Sequence, residues 1–97
     1  MSSIPQTRTI GQFRRVNIPA DIAEDYPKGA TFVTTVEDGD IVLTISESGD
    51  GNQITEKNRV RLPPGVVDQF ADDVEFAVFQ DGHQITLRPT DNIEISL

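Results

Sequence analysis

The chain has 97 residues, 36% of them hydrophobic and 25% charged, which suits one soluble domain and leaves too little for two independent cores. Cysteine is absent, so disulfides, zinc–thiolate sites and cysteine nucleophiles are excluded. No apolar run approaches the roughly 20 residues of a membrane span, and Met1–Ile10 has no apolar core of the signal-peptide kind, so a cytoplasmic protein without membrane attachment is expected. The net charge of −8 argues against a nucleic-acid partner until its distribution is considered.

In chain order, the first 20 residues hold Arg8, Arg14 and Arg15 and no acid. From Gly51 to Val67, Lys57, Arg59 and Arg61 stand against Glu56 alone. These windows carry +3 and +2 within a total of −8, so the remainder carries −13, and the charge is segregated into two basic stretches on an acidic background. Aspartate outnumbers glutamate, and lysine occurs only at Lys28 and Lys57, a profile that resembles the hydrated surfaces of proteins from extreme halophiles.

The two basic stretches are copies. An offset of 44 residues aligns Ile10–Ile45 with Ile54–Pro89 without a gap, with seven identities: Ile10/Ile54, Arg15/Arg59, Val16/Val60, Pro19/Pro63, Phe32/Phe76, Ile41/Ile85 and Leu43/Leu87. Unrelated segments would share about two. Residues 1–97 are therefore expected to form a single domain of two pseudo-symmetric copies, 10–45 and 54–89, with 46–53 as linker and 90–97 as a terminal strand or tail.

Each copy reads the same way. Val16 and Ile18, then Val60 and Leu62, alternate with polar residues and predict half-buried strands over Phe13–Ile18 and Lys57–Leu62. Pro19 and Pro63 end these strands and suit a helix start, with Asp21 and Asp68 expected to favour its positive end. Two-turn helices follow, expected to bury Ile22, Ala23 and Tyr26, and Val66, Val67 and Phe70, until Pro27–Gly29 or Asp72–Asp73 breaks them. Hairpins come next: Ala30–Val36 with Ile41–Ile45 around Asp38–Gly39, and Val74–Gln80 with Gln84–Arg88 around Gly82–His83. Asn92–Leu97 is expected to add a strand.

Strand parity turns Arg15, Asn17, Arg59 and Arg61 outward, opposite Val16, Ile18, Val60 and Leu62. A pseudo-twofold axis would set them on one face, and Arg8, Arg14 and Lys57, near in sequence, would widen it. Arginine suits a DNA contact because its planar fork binds a phosphate or a guanine edge with two parallel hydrogen bonds.

No catalytic arrangement is visible, and an enzyme is not expected. The single histidine, His83, falls in a predicted turn, and Asp38-Gly39-Asp40 and Asp50-Gly51-Asn52 lack the order of a calcium loop, so neither a metal site nor a cofactor is expected.

The ordered set of elements, above all Arg15-Val16-Asn17-Ile18-Pro19 and Arg59-Val60-Arg61-Leu62-Pro63 followed by a short helix and a hairpin, resembles the AbrB/SpoVT swapped-hairpin family. The first copy also matches in Gly29 and in Ile41-Val42-Leu43; the second departs with Leu62 and Asp72–Asp73. The resemblance implies a mainly β fold with two short helices, in which two copies interleave hairpins into a barrel-like body. It also implies binding of double-stranded DNA as a transcriptional regulator, with arginines of this strand as contacts. The tandem arrangement, known in the MraZ-like branch, implies a pseudo-dimer within a monomer or exchange between chains as a homodimer. The other expectation is a protein-binding module on the same fold, an antitoxin or assembly adaptor, whose acidic surface around Asp72 and Asp73 meets a basic partner.

Overall fold

The computed structural model describes residues 6–70 and 74–90; Asp72, Asp73 and the strand expected at Asn92–Leu97 lie outside the described residues. Strand β1 (Thr7–Thr9) leads through a tight turn at Gln12–Arg14 into β2 (Arg15–Asn17), then α1 (Ala20–Ala23), β3 (Thr31–Glu37) and β4 (Asp40–Ser46). Strands β5 (Asn52–Gln53) and β6 (Arg59–Arg61), helix α2 (Pro64–Val67), and β7 (Glu75–Asp81) and β8 (Gln84–Pro89) repeat that order. The fold is mainly β with two short helices, and its larger sheet curls into a half-barrel.

That sheet has six strands in the order β1-β7-β8-β4-β3-β5, and β2 and β6 form a separate two-stranded ribbon. The pairings obey the 44-residue offset. Hairpin β3–β4 pairs Phe32 with Ile45, and β7–β8 pairs Phe76 with Pro89. Strand β4 meets β8 with Val42 opposite Thr86, and the ribbon sets Val16 opposite Val60, so both inter-copy ladders are centred on residues that the offset exchanges. The leading strands cross over: β1, ahead of the first copy, lies on β7 (Thr9 opposite Glu75), and β5, ahead of the second, lies on β3 (Thr31 opposite Gln53).

The core explains this closure. Val16, Ile18, Phe32, Ile41 and Leu43 are fully buried, as are or nearly are Val60, Leu62, Phe76, Ile85 and Leu87, and they form one cluster. Burial of a Phe side chain of this kind stabilises by about 3 kcal/mol. Each copy also holds an edge-to-face aromatic pair, Tyr26 on Phe32 (centroids 5.3 Å apart) and Phe70 on Phe76 (5.2 Å), a geometry worth about 1 kcal/mol beyond area. Gly51 (φ 96°) runs so close to β3 that a Cβ would fall on the Phe32 carbonyl, which fixes how the linker enters β5.

Several expectations shift. The inner strands are shorter than predicted, Arg15–Asn17 and Arg59–Arg61, because left-handed residues precede them: Phe13 (φ 60°) and Arg14 (φ 59°) in one copy, Asn58 (φ 60°) in the other. The helices have one turn rather than two; backbone bonds such as Glu24 N–H to the Ala20 carbonyl and Asp68 N–H to the Pro64 carbonyl mark their ends. Asp68 is thus at the C-terminal end of α2, and that helix has no acid in its first turn, contrary to the role expected for it. Ile22, Ala23 and Tyr26 are half-buried, whereas Val66 is buried. The linker contributes a strand, β5, that loop composition concealed. The hairpins lie within a residue of their expected bounds.

Candidate nucleic-acid interface

The ribbon is built from the residues that precede each proline. Val16 and Val60, both fully buried, anchor its inner face, and alternation puts Arg15, Asn17, Arg59 and Arg61 on the outer one. Register sets Arg15 opposite Arg61 and Asn17 opposite Arg59. The backbone bonds Ile18 N–H to the Asn58 carbonyl and Leu62 N–H to the Arg14 carbonyl, each 2.7 Å, extend the ladder from Val16–Val60 in steps of two. The outward pairs therefore occupy non-hydrogen-bonded positions, where opposed side chains stand closest.

Like charges directly opposite each other destabilise a sheet by some tenths of a kcal/mol. Among the described residues the one ion pair is Arg88–Asp40 (3.1 Å), so no described carboxylate neutralises the ribbon arginines. Three guanidiniums and a carboxamide held on a ribbon without counter-charge form a surface prepared for an anion or a polar edge. A cleft of about 290 Å³ opens on it, lined by Thr9, Gly11, Arg15, Asn17 and Arg59.

The other expected contacts are placed differently. Arg14, part-buried, gives its Nε–H to the Leu62 carbonyl (3.3 Å), and its guanidinium is tied to the ribbon's end rather than projecting freely. Lys57 is exposed in the turn before β6, at the position corresponding to Phe13. Arg8 belongs to the six-stranded sheet, bonds to Gln6 Oε1 (3.0 Å) and the Thr7 carbonyl (2.8 Å), and alternates to the side opposite Thr9, away from the cleft. Arg8 therefore does not extend the face, because nearness in sequence across a strand reverses direction at every residue.

Phe13 was not among the expected contacts. It is 64% exposed, and the Arg15 guanidinium sits 5.2 Å from its ring centroid. Such stacking holds an arginine extended while leaving its donors available. The signal was present: in the predicted strand Phe13 shares parity with Arg15 and Asn17.

The molecule is a mainly β domain whose half-barrel sheet supports an arginine-faced ribbon. No protein family, curated protein or solved structure matches the chain. Among the described residues no helix is long and apolar enough to cross a membrane.

Proposed function

We propose that this protein is a DNA-binding transcriptional regulator with the swapped-hairpin architecture of the AbrB-like kind, both halves supplied by one chain. The observation that carries it is the identity pattern. Of the seven positions identical between copies, Ile10/Ile54, Val16/Val60, Pro19/Pro63, Phe32/Phe76, Ile41/Ile85 and Leu43/Leu87 are buried or pack at the core's edge, which packing explains. Arg15/Arg59 is the one charged pair, and it sits on the outer face of the ribbon. Core packing has no use for it there. The crossed pairing of β1 with β7 and β5 with β3 supports interleaved copies, and a two-stranded ribbon is narrow enough for the roughly 12 Å major groove.

The test is a two-dimensional NMR titration of the labelled protein with mixed duplexes at low and moderate salt, alongside Arg15→Ala/Arg59→Ala. Shifts centred on Phe13–Asn17 and Lys57–Arg61 are expected, and the double variant should bind roughly 100-fold more weakly with its spectrum otherwise native. Undiminished binding by that variant would overturn the site, and absence of binding to any duplex would overturn the function.

A further inference from the structure

The ribbon's two ends are not equivalent. The pseudo-twofold relation, centred on Val16 opposite Val60, carries Arg15 onto Arg59 and would carry Asn17 onto an identical residue in the second copy. The second copy has Arg61 instead. One end therefore presents two arginines, Arg15 beside Arg61, and the other presents Asn17 beside Arg59. Asn17 and Arg61 are both exposed, whereas Arg15 and Arg59 are half-buried, so the symmetry breaks at the two side chains with most freedom to reach a ligand. Arg15, Asn17 and Arg59 line the cleft and Arg61 does not. The break lies in the site and not beneath it: Val16 and Val60 are both fully buried, and Ile18 and Leu62 nearly equally so.

These two side-chain types read different bases. An arginine donates twice to O6 and N7 of guanine, whereas an asparagine carboxamide accepts from N6 and donates to N7 of adenine. A ribbon placed in the major groove with its axis on the duplex dyad would meet each half-site with one end. Resting on the DNA-binding reading above, we infer that the recognised duplex is an imperfect palindrome, and that Asn17 and Arg61 set its asymmetry. The half-site under Arg15 and Arg61 carries guanine at both contacted positions. The half-site under Asn17 and Arg59 keeps the guanine that Arg59 reads and has adenine where the other has its second guanine.

The experiment is selection from a randomised duplex library by the full chain, followed by sequencing, with Asn17→Arg and Arg61→Asn selected in parallel. Both positions are exposed, and circular dichroism is the check that each variant folds. Wild type should enrich an imperfect palindrome, and swapping its distinguishing adenine to guanine should weaken binding at least about tenfold. Asn17→Arg should convert the motif to a palindrome with guanine in both halves, and Arg61→Asn to one with adenine in both. A symmetric wild-type motif, or a motif that neither variant changes, would overturn the inference while leaving DNA binding standing. Failure of wild type to enrich any duplex would overturn the DNA-binding reading and the inference together.

Discussion

At the scale of single residues, the offset supplies internal controls, because each position has a counterpart in nearly the same environment. Thr34 and Val78 are such a pair. Thr34 Oγ1 is buried with no hydrogen-bond partner among the described residues, while Val78, 3% exposed, fills the corresponding site with a methyl. An unsatisfied buried hydroxyl costs about 1–3 kcal/mol, so Thr34→Val is expected to stabilise the fold by about 1 kcal/mol. Urea unfolding measures it; a lower midpoint for the variant would show that the hydroxyl is satisfied in solution. The same comparison locates strain. Asn58 tolerates its left-handed conformation well, but Arg14 at the corresponding position, and bulky Phe13 before it, adopt φ near 60° at a cost of about 1–3 kcal/mol each. That strain sits at the mouth of the arginine ribbon and presents Phe13 to solvent beneath Arg15.

At the scale of elements, the loop after α1 is tied to the opposite copy's hairpin through Tyr26, whose Oη–H donates to the Gly82 carbonyl at 3.1 Å. Phe70, the counterpart, has no hydroxyl, so the lock is one-sided. Burial pushes the Tyr26 phenol above its ordinary value of 10.0 and outweighs a hydrogen bond with Gln80 that lowers it, while the charge of Asp25 adds to the rise. A folded value above the unfolded one means this contribution is complete below pH 10 and is lost as pH rises through the folded value. Tyr26→Phe is therefore expected to cost about 1 kcal/mol at neutral pH and to flatten the alkaline fall in stability. Denaturant midpoints between pH 7 and 11 compare the two proteins, and equal alkaline slopes would refute the lock. The hairpins were legible in sequence because Asp38–Gly39 (φ 53° and 83°) supplies both left-handed turn residues and Gly82 (φ 59°) the first of its turn. The inner strands were legible in position through Val16 and Val60, but not in length, since alternation continues through Phe13 and Lys57 where the backbone has already turned. Strands β1 and β5 were not legible: they hold two or three residues each and owe their conformation to pairing with the distant β7 and β3. Placement followed the same division: parity put Arg15, Asn17, Arg59 and Arg61 opposite the buried valines, where the ribbon has them, whereas proximity in sequence put Arg8 beside them and it lies on β1 of the six-stranded sheet.

At the scale of the whole molecule, both inter-copy ladders, β2–β6 and β4–β8, close within one chain, and the sheet's two edges, β1 and β5, are only three and two residues long. Short edges offer little template for another chain. The radius of gyration, 12.9 Å, is that of a folded chain of about 100 residues, near 13 Å. The protein is thus expected to sediment as a single chain, with a melting temperature independent of concentration; a concentration-dependent melt would signal exchange of hairpins between chains. Charge sets a second whole-molecule property. Sixteen acids face eight bases, and among the described residues no charged side chain is buried and one ion pair forms. Net repulsion therefore acts through solvent, where salt screens it, the Debye length falling from about 30 Å at 0.01 M to about 3 Å at 1 M. Added NaCl is expected to raise the melting temperature by roughly 5 °C or more, since about 1 kcal/mol moves a domain of this size by 4–8 °C. On the proposed DNA-binding function, duplex affinity should move the other way, because a phosphate contact releases counterions less favourably as salt rises. Melting and duplex-binding curves on the same salt series check both signs. A melting temperature that fell with salt would place the dominant electrostatics in attractive pairs instead of a repelling acidic surface.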